Sequence, residues 1–463
     1  MNTTVVILAA GLGTRMRSRR AKVLHRAGGL ALVENVLDSA RAVAPPSRVV
    51  VVTGHQANQV EELLGPQGVR FVRQVEQKGT GNALACCREA ISKNPGMVMV
   101  LYGDTPLLSG DTLRRLRDQQ AKCKAAATLI TTDLPDPTGY GRVLLDKSGA
   151  VTAIVEEKAA TATQRKIKRI NSGIYCFRAE LLWKYLGEIK PNKKSGEYYL
   201  TDMAEILTKH GHRVEPLHIE DSSELLGINT RVELADADRL LRRRKCEELM
   251  LSGVTIERPE TVTIDGGVRV GQDTVIEPFV RLLGPTEIGE ECHIGAGAII
   301  DSSGLAHGVT VKPYTLISES HIDTGAQVGP FARLRMDARV GPRAKVGNFV
   351  ELKKARLGAE AKSQHLAYLG DAEIGDHANI GAGTITCNYD GELKHRTKIG
   401  SGAFIGSNAT LVAPIEIGAD SYVGAGSVIT DPVPTGALAL GRGRQVVKEG
   451  WVANRKKKKP TSS

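Results

Sequence analysis

Aromatic residues are scarce, at 4% of 463 positions with two Trp and six Phe. A chain long enough for two or three domains must therefore build its cores from aliphatic residues. Cysteine is also sparse: seven residues, an odd number without metal-ligand spacing, argue against a disulfide framework or a thiolate metal site. The adjacent Cys86 and Cys87 read as helix packing rather than redox chemistry. Long apolar runs are missing too, and the opening MNTTVVILAAG is a short strand entering a Gly-rich turn, so the expectation is a cytoplasmic protein with no membrane partner. Acidic residues are outnumbered, giving a net charge of +11, but residues 455–459 carry five of those charges and leave +6 elsewhere. The segment 441–463 reads as a solvated basic tail. RKKKKPTSS has no base-stacking aromatics, so no nucleic-acid partner is expected, and the remaining positive balance suits phosphorylated, anionic substrates.

What the sequence does have is glycine, 50 residues of it, much of it in a repeat. From about Ile264 to Ile429 an aliphatic residue followed by a small one returns every six positions, as in I-GEECH, I-GAGAI, V-GNFVE, I-GSGAF and V-GAGSV. A period of six fits neither a helix nor a two-faced strand, so each hexad should be a short strand plus a turn, with Gly allowing the tight corner. Three hexads per triangular coil predict about nine stacked coils, a parallel β-helix over residues 253–440.

Residues 1–229 have a different texture. VVILAAG, RVVVVTG, VRFV and MVMVLYGD read as buried strands, with helices over ALVENVLDSARAV, after Gly54 and over GTGNALACCREAI. This βαβ alternation predicts an α/β domain with a mainly parallel sheet and ligands at the carboxyl ends of its strands. Residues 230–252 read as one charged helix linking the domains. The first motif at a strand end is LAAGLGTRM, where Gly11 and Gly13 expose backbone N–H groups to an anion and Arg15 and Lys22 can neutralise a polyphosphate. The second is LYGDTPLL, which sets Asp104 after an apolar strand, as a turn cap or a Mg²⁺ ligand.

Together with QVEQKGTGNA, TGYGR, IVEEK, NSGIY and GINTR, these motifs make the first half resemble the sugar-nucleotidyltransferase family. The resemblance implies a Rossmann-like nucleotidyltransferase fold in which Leu8, Ala9, Ala10, Gly11, Lys22, Gly79, Thr80, Tyr102, Gly103 and Asp104 meet the nucleotide. On the same pattern Gln74 contacts uracil, Gly141, Glu156 and Asn171 contact the sugar, and Asp104 with Asn229 holds Mg²⁺. Asn171 and Asn229 as turn residues and Gly141 as a bend are the alternatives. One departure stands out: Ala21 precedes Lys22 where the family usually has Pro.

The repeat resembles the hexapeptide-repeat acyltransferases, which implies a left-handed parallel β-helix and a homotrimer with acyl-CoA sites between subunits. Its rhythm lapses at KSQHLAYLGDAEIG and again at CNYDGELKHRTKIG, and irregular loops on a rigid coil are places for catalytic groups. Both halves together are similar to the bacterial bifunctional family that acetylates glucosamine 1-phosphate and uridylylates N-acetylglucosamine 1-phosphate. That resemblance implies His365 as the base, Arg335, Lys353, Tyr368 and Asn379 on the amino-sugar phosphate, and Ala382, Asn388, Tyr389, Ser407, Ala425 and Arg442 on acetyl-CoA. The co-substrates would be acetyl-CoA and UTP, with Arg15 and Lys22 catalytic in uridylyl transfer. Three alternatives remain: a nucleotidyltransferase whose β-helix is only an oligomerisation stalk, a metal-binding hydratase using His293, His307 and His321, and a binding-only scaffold.

Overall fold

The computed structural model describes residues 2–91, 96–193 and 195–457. The chain divides into two compact units, Met1–Arg244 and Lys245–Ser463.

The first unit is built on a nine-stranded sheet. Its strands are β1 (Thr3–Leu8), β2 (Val49–Thr53), β3 (Arg70–Arg73), β4 (Met97–Tyr102), β5 (Ala127–Asp133), β6 (Arg142–Leu145), β7 (Val151–Val155), β8 (Arg169–Arg178) and β9 (Val214–His218). The main order is β9-β5-β8-β4-β1-β2-β3, with β6 joining β8 and β7. β1 and β2 are buried along their whole length, as Val-rich strands covered on both faces must be. Helices α1 (Leu32–Ala40), α2 (Ala57–Leu64) and α3 (Thr80–Cys86) follow the expected pattern; α1 turns Leu32, Val33, Val36, Leu37 and Ala40 inward at helical spacing. The sheet is more mixed than expected. β8 runs antiparallel between β4 and β5, a direction that a buried apolar run cannot reveal.

The linker helix, α4 (Arg231–Leu251), is not a bare connector. Ala237 packs with Ala27, Leu32, Leu107 and Ile228 of the first unit, whereas Cys246 and Leu249 join the core of the second. The boundary between the units falls inside it, after Arg244.

The second unit is a parallel β-helix whose three sheets contain 11, 10 and 9 strands. Successive coils put Ile276, Ile294, Val311, Val328 and Val346 in register, a column of inward aliphatic side chains. Aliphatic residues and alanines fill the core, which is how so large a core forms without aromatic rings. Glycine does more at the corners than expected. A Cβ on Gly375 would lie 2.4 Å from the Ser401 nitrogen, and one on Gly406 2.4 Å from that of Ala425, so these glycines let the next coil approach. Glycines such as Gly297 and Gly402 do turn corners in the left-handed conformation, and non-glycine residues share it, including His377 at φ 59° and Asp420 at φ 52°. At three neighbouring corners those residues are Tyr314, Phe331 and Phe349, whose exposed rings stack at 5.4 Å centroid spacing.

Part of the basic tail is ordered. Trp451–Lys457 form a helix with Arg455 lying 5.1 Å over the Trp451 ring, so an aromatic does accompany the cations; residues 458–463 of the expected tail lie outside the described residues. No helix among the described residues is long and apolar enough to cross a membrane. Burial pushes the Cys87 thiol up to about 12, consistent with packing rather than redox chemistry.

Candidate active sites

In the first unit β4, β1 and β2 are neighbouring parallel strands, with Leu8 in register with both Tyr102 and Val52. Their carboxyl ends therefore lie side by side, and each releases a loop onto the same spot. The loop after β1 carries Ala9, Ala10 and Gly11 and turns at Gly13, where φ is 62° and a Cβ would lie 2.6 Å from that of Lys22. The lysine thus packs directly against the glycine turn. Its ammonium pairs with Asp104, from the loop after β4, and donates to Asn229 Oδ1 at 3.2 Å. Arg15 Nη2 reaches the same amide oxygen at 2.7 Å. Asp104 is held from behind, because Gly103 N–H donates to the Leu8 carbonyl and Ile228 N–H to the Asp104 carbonyl, both at 2.9 Å.

Asp104 and Asn229 thus aim oxygens at one cation. Two oxygen donors are few for a metal cage but suit Mg²⁺, which keeps waters and takes substrate phosphate oxygens for its other positions. Elsewhere, no group of three or more His, Cys, Asp or Glu side chains among the described residues could hold a metal. His293, His307 and His321 are exposed and apart, the first two paired with Glu277 and Glu290.

The remaining expected nucleotide and sugar residues lie in the same unit. Gln74 is buried, its Nε2 donating to the Gly79 carbonyl at 3.1 Å and to Asn82 Oδ1 at 2.7 Å. Thr80 Oγ1 accepts from Leu200 N–H at 3.0 Å. Around the expected sugar pocket Asn171 N–H donates to the Gly141 carbonyl at 2.9 Å, Asn171 Nδ2 donates to the Tyr175 hydroxyl at 2.8 Å, and Thr201 Oγ1 donates to Glu156 at 3.3 Å. Burial raises the Glu156 carboxyl, opposed by the Thr201 bond. Burial also raises the Tyr102 hydroxyl.

In the second unit the expectation that His365 lies on a break in the coil needs correction. Lys362–His365 is a strand in register with Lys345–Asn348, and Tyr368–Gly370 continues the next face. The hexad rhythm lapses only because buried Ser363 takes the inward position of Val346 and Ile380. His365 ends its strand exposed, and its Nδ1–H donates to Asn348 Oδ1 at 2.8 Å. An amide oxygen only accepts, so this bond leaves Nε2 with the lone pair. The second interruption is real: between Ile385–Cys387 and Thr397–Ile399 the chain leaves the coil as a hairpin bridged at Tyr389 and Lys394, with the Asp390 carboxylate taking Glu392 N–H, Leu393 N–H and His395 Nε2 at 2.6–2.8 Å.

From His365 a column climbs one corner of the coil. Gly383 N–H donates to the His365 carbonyl at 3.3 Å, Asn408 N–H to Ala382 at 2.7 Å, Gly426 N–H to Ser407 at 2.8 Å, and Arg442 Nη1 to the Ala425 carbonyl at 2.9 Å. Four of the expected acetyl-CoA residues thus stack above the histidine. Three of the expected sugar-phosphate residues lie on the adjoining face, where Arg335 is in register with Lys353 and Tyr368 with Glu351. Arg335 pairs with Glu351 at 2.7 Å. Lys353 is buried and pairs with Asp371 at 2.8 Å; the same Asp371 oxygen accepts from Asn388. Its bond to Asp371 raises the Lys353 ammonium. Burial would raise Asp371, but bonds from Lys353 and Asn388 outweigh it and hold the carboxyl low. Asn388, expected beside acetyl-CoA, thus shares the carboxylate that holds Lys353. Asn379, expected on the sugar phosphate, is in register with Lys362 and Phe404 in the sheet that carries His365.

Sequence reasoning passed over Asn348, Asp371 and Gln56. The first two had a signal. Asn348 lies seventeen residues before His365, and Asp371 eighteen after Lys353, each about one coil away.

The pattern of the MobA-like NTP transferase domain matches residues 5–169, and that of the bacterial transferase hexapeptide (six repeats) matches 267–302 and 396–431. The second match makes the β-helix left-handed. A protein of Solibacter usitatus called Bifunctional protein GlmU is 55% identical over 454 residues, covering 98% of this chain and 97% of that protein. Proteins of the same name from Koribacter versatilis and Alkaliphilus metalliredigens are 49% and 45% identical, again over 98% of this chain and 98% and 99% of theirs. With both domains present, in that order and over nearly its whole length, the chain belongs to the bifunctional GlmU family.

Proposed function

We propose that the chain carries out two consecutive steps toward UDP-N-acetylglucosamine. In the second unit the amine of glucosamine 1-phosphate attacks the thioester carbon of acetyl-CoA. The new N–C bond forms as the C–S bond breaks, His365 Nε2 takes the amine proton, and the imidazolium returns it to the departing CoA thiolate. Arg335, Lys353, Tyr368 and Asn379 would hold the sugar phosphate, and Asn388 and Tyr389 with the column Ala382, Ser407, Ala425 and Arg442 the coenzyme. In the first unit a phosphate oxygen of N-acetylglucosamine 1-phosphate forms a bond to the α-phosphorus of UTP while the bond to the bridging oxygen breaks and pyrophosphate leaves. Arg15 and Lys22 neutralise the charge that gathers on the leaving group. Mg²⁺, when bound at Asp104 and Asn229, supplies further neutralisation of the phosphate oxygens. Gln74 would select uracil, and Gly141, Glu156 and Asn171 the acetylated sugar.

The observation that carries this reading is the His365–Asn348 bond, which leaves Nε2 as a base on an exposed corner, in a chain whose other unit gathers Lys22, Arg15, Asp104 and Asn229 at one point. A stalk-only β-helix has no use for such a base or for a buried Lys353–Asp371 pair. We take the assembly to be a homotrimer and the location to be the cytoplasm, where UTP and acetyl-CoA are made. The exposed ladder of Tyr314, Phe331 and Phe349 supports burial against a second copy. Incubation with glucosamine 1-phosphate, acetyl-CoA, UTP and Mg²⁺ tests the reading. Free thiol and pyrophosphate should both appear, and omitting acetyl-CoA should abolish both. Pyrophosphate release without acetyl-CoA or N-acetylglucosamine 1-phosphate would contradict the order of steps.

A further inference from the structure

We infer that Gln56 is a positioning residue for uridylyl transfer: its side-chain amide clamps the backbone on either side of Arg20 and so fixes the approach of Lys22. The inference rests on the reading of Lys22 as a catalytic cation. Gln56 Oε1 accepts from Ala21 N–H and Gln56 Nε2 donates to the Arg19 carbonyl, both at 2.6 Å. One amide thus makes two bonds to a backbone segment that has no strand partner, and that segment leads straight into Lys22. The clamp is anchored in turn, because His55 N–H donates to the Ala10 carbonyl at 3.3 Å, and a Cβ on Gly54 would lie 2.8 Å from that carbonyl.

The local geometry of Gln56 fits this task and no simpler one. It opens α2 in a left-handed conformation, φ 54° and ψ 39°, and makes no side-chain cap to that helix. A non-glycine residue there is strained, and a residue free to cap would relieve an orphan N–H group of the first turn, so the side chain is held where it is by other bonds. Ala21 shows what the clamp replaces. Its φ of −56° and ψ of 140° are values that a proline would adopt unaided, and its N–H is the group a proline would lack. Alanine leaves this backbone free to rotate, and the glutamine restores the restraint from outside.

The test is a pair of substitutions, Gln56→Ala and Ala21→Pro, alone and combined, read by steady-state uridylyl transfer. Misplacing a group that acts on the transition state by about 1 Å can cost on the order of 10²-fold, so Gln56→Ala should lower kcat by about 10- to 100-fold with little change in KM for UTP. In the double variant the truncated side chain leaves room for the ring, and the ring restores the restraint; kcat should recover to within about threefold of the parent. A merely structural role would lower Tm without that recovery. Acetyl transfer, carried by the other unit, should be unchanged throughout, and the Tm of the first unit reports its folding. The clamp is overturned if Gln56→Ala keeps near-parental kcat while Lys22→Ala loses it, or if the double variant is as slow as the single one. If Lys22→Ala itself retains activity, the reading of the site fails instead.

Discussion

His365 shows how little of a residue's role lies in its own identity. The histidine sits on an exposed corner, and its bond to Asn348 decides which nitrogen can accept a proton. Loss of a general base costs roughly 10²- to 10⁴-fold, so His365→Ala should lower acetyl transfer by that order while leaving Tm and uridylyl transfer from supplied N-acetylglucosamine 1-phosphate unchanged. Asn348→Ala should act in the same direction but less, because it frees the tautomer without removing the base. Two residues away, Ser363 is fully buried and its hydroxyl has no partner. Ser363→Ala removes an unsatisfied group worth about 1–3 kcal/mol and should raise Tm by several degrees without altering acetyl transfer. Glu156 follows the opposite trade. Burial raises its folded pKa, so its contribution to stability is full below the ordinary carboxylate range and is lost as pH rises through the raised value. Glu156→Gln should therefore raise Tm at neutral pH, measured by calorimetry, while weakening the sugar site. An unchanged or lower Tm would show that its charge is not a cost.

At the scale of elements, the repeat was legible because a period of six repeated over many coils admits few structures. The inward column from Ile276 to Val346 follows directly from it. Removing one member should act as in any tight core: Ile294→Ala, fully buried in that column, should cost about 2–5 kcal/mol by denaturant titration of the second unit. The purpose of glycine was less legible. The pattern marks where glycine must be, but not that it makes room for the next coil, since that depends on atoms about seventeen or more residues away. The strand containing His365 was hidden for a related reason. A polar Ser363 at an inward position looks like a break, and only coil register shows the backbone continuing. In the first unit the strands and the glycine turn after β1 could be read from apolar runs and glycine placement. The antiparallel course of β8 could not, nor could the grip of Gln56 on the loop before Lys22, because neither leaves a local pattern.

At the scale of the whole molecule, the account rests on two sites in two units with separate cores, joined by an intermediate that leaves one and enters the other. Asp104→Ala removes the carboxylate facing Lys22 and should reduce uridylyl transfer by at least about 10²-fold, with acetyl transfer preserved. Light scattering should give three times the chain mass, and a monomer with full acetyltransferase activity would rule out a site shared between copies. The most direct test of separate sites mixes the two single-site variants. Neither Asp104→Ala nor His365→Ala alone should convert glucosamine 1-phosphate, acetyl-CoA, UTP and Mg²⁺ to UDP-N-acetylglucosamine at an appreciable rate. An equimolar mixture should do so, after a lag in which N-acetylglucosamine 1-phosphate accumulates in solution. A mixture as inactive as its components would contradict two independent sites with a diffusible intermediate.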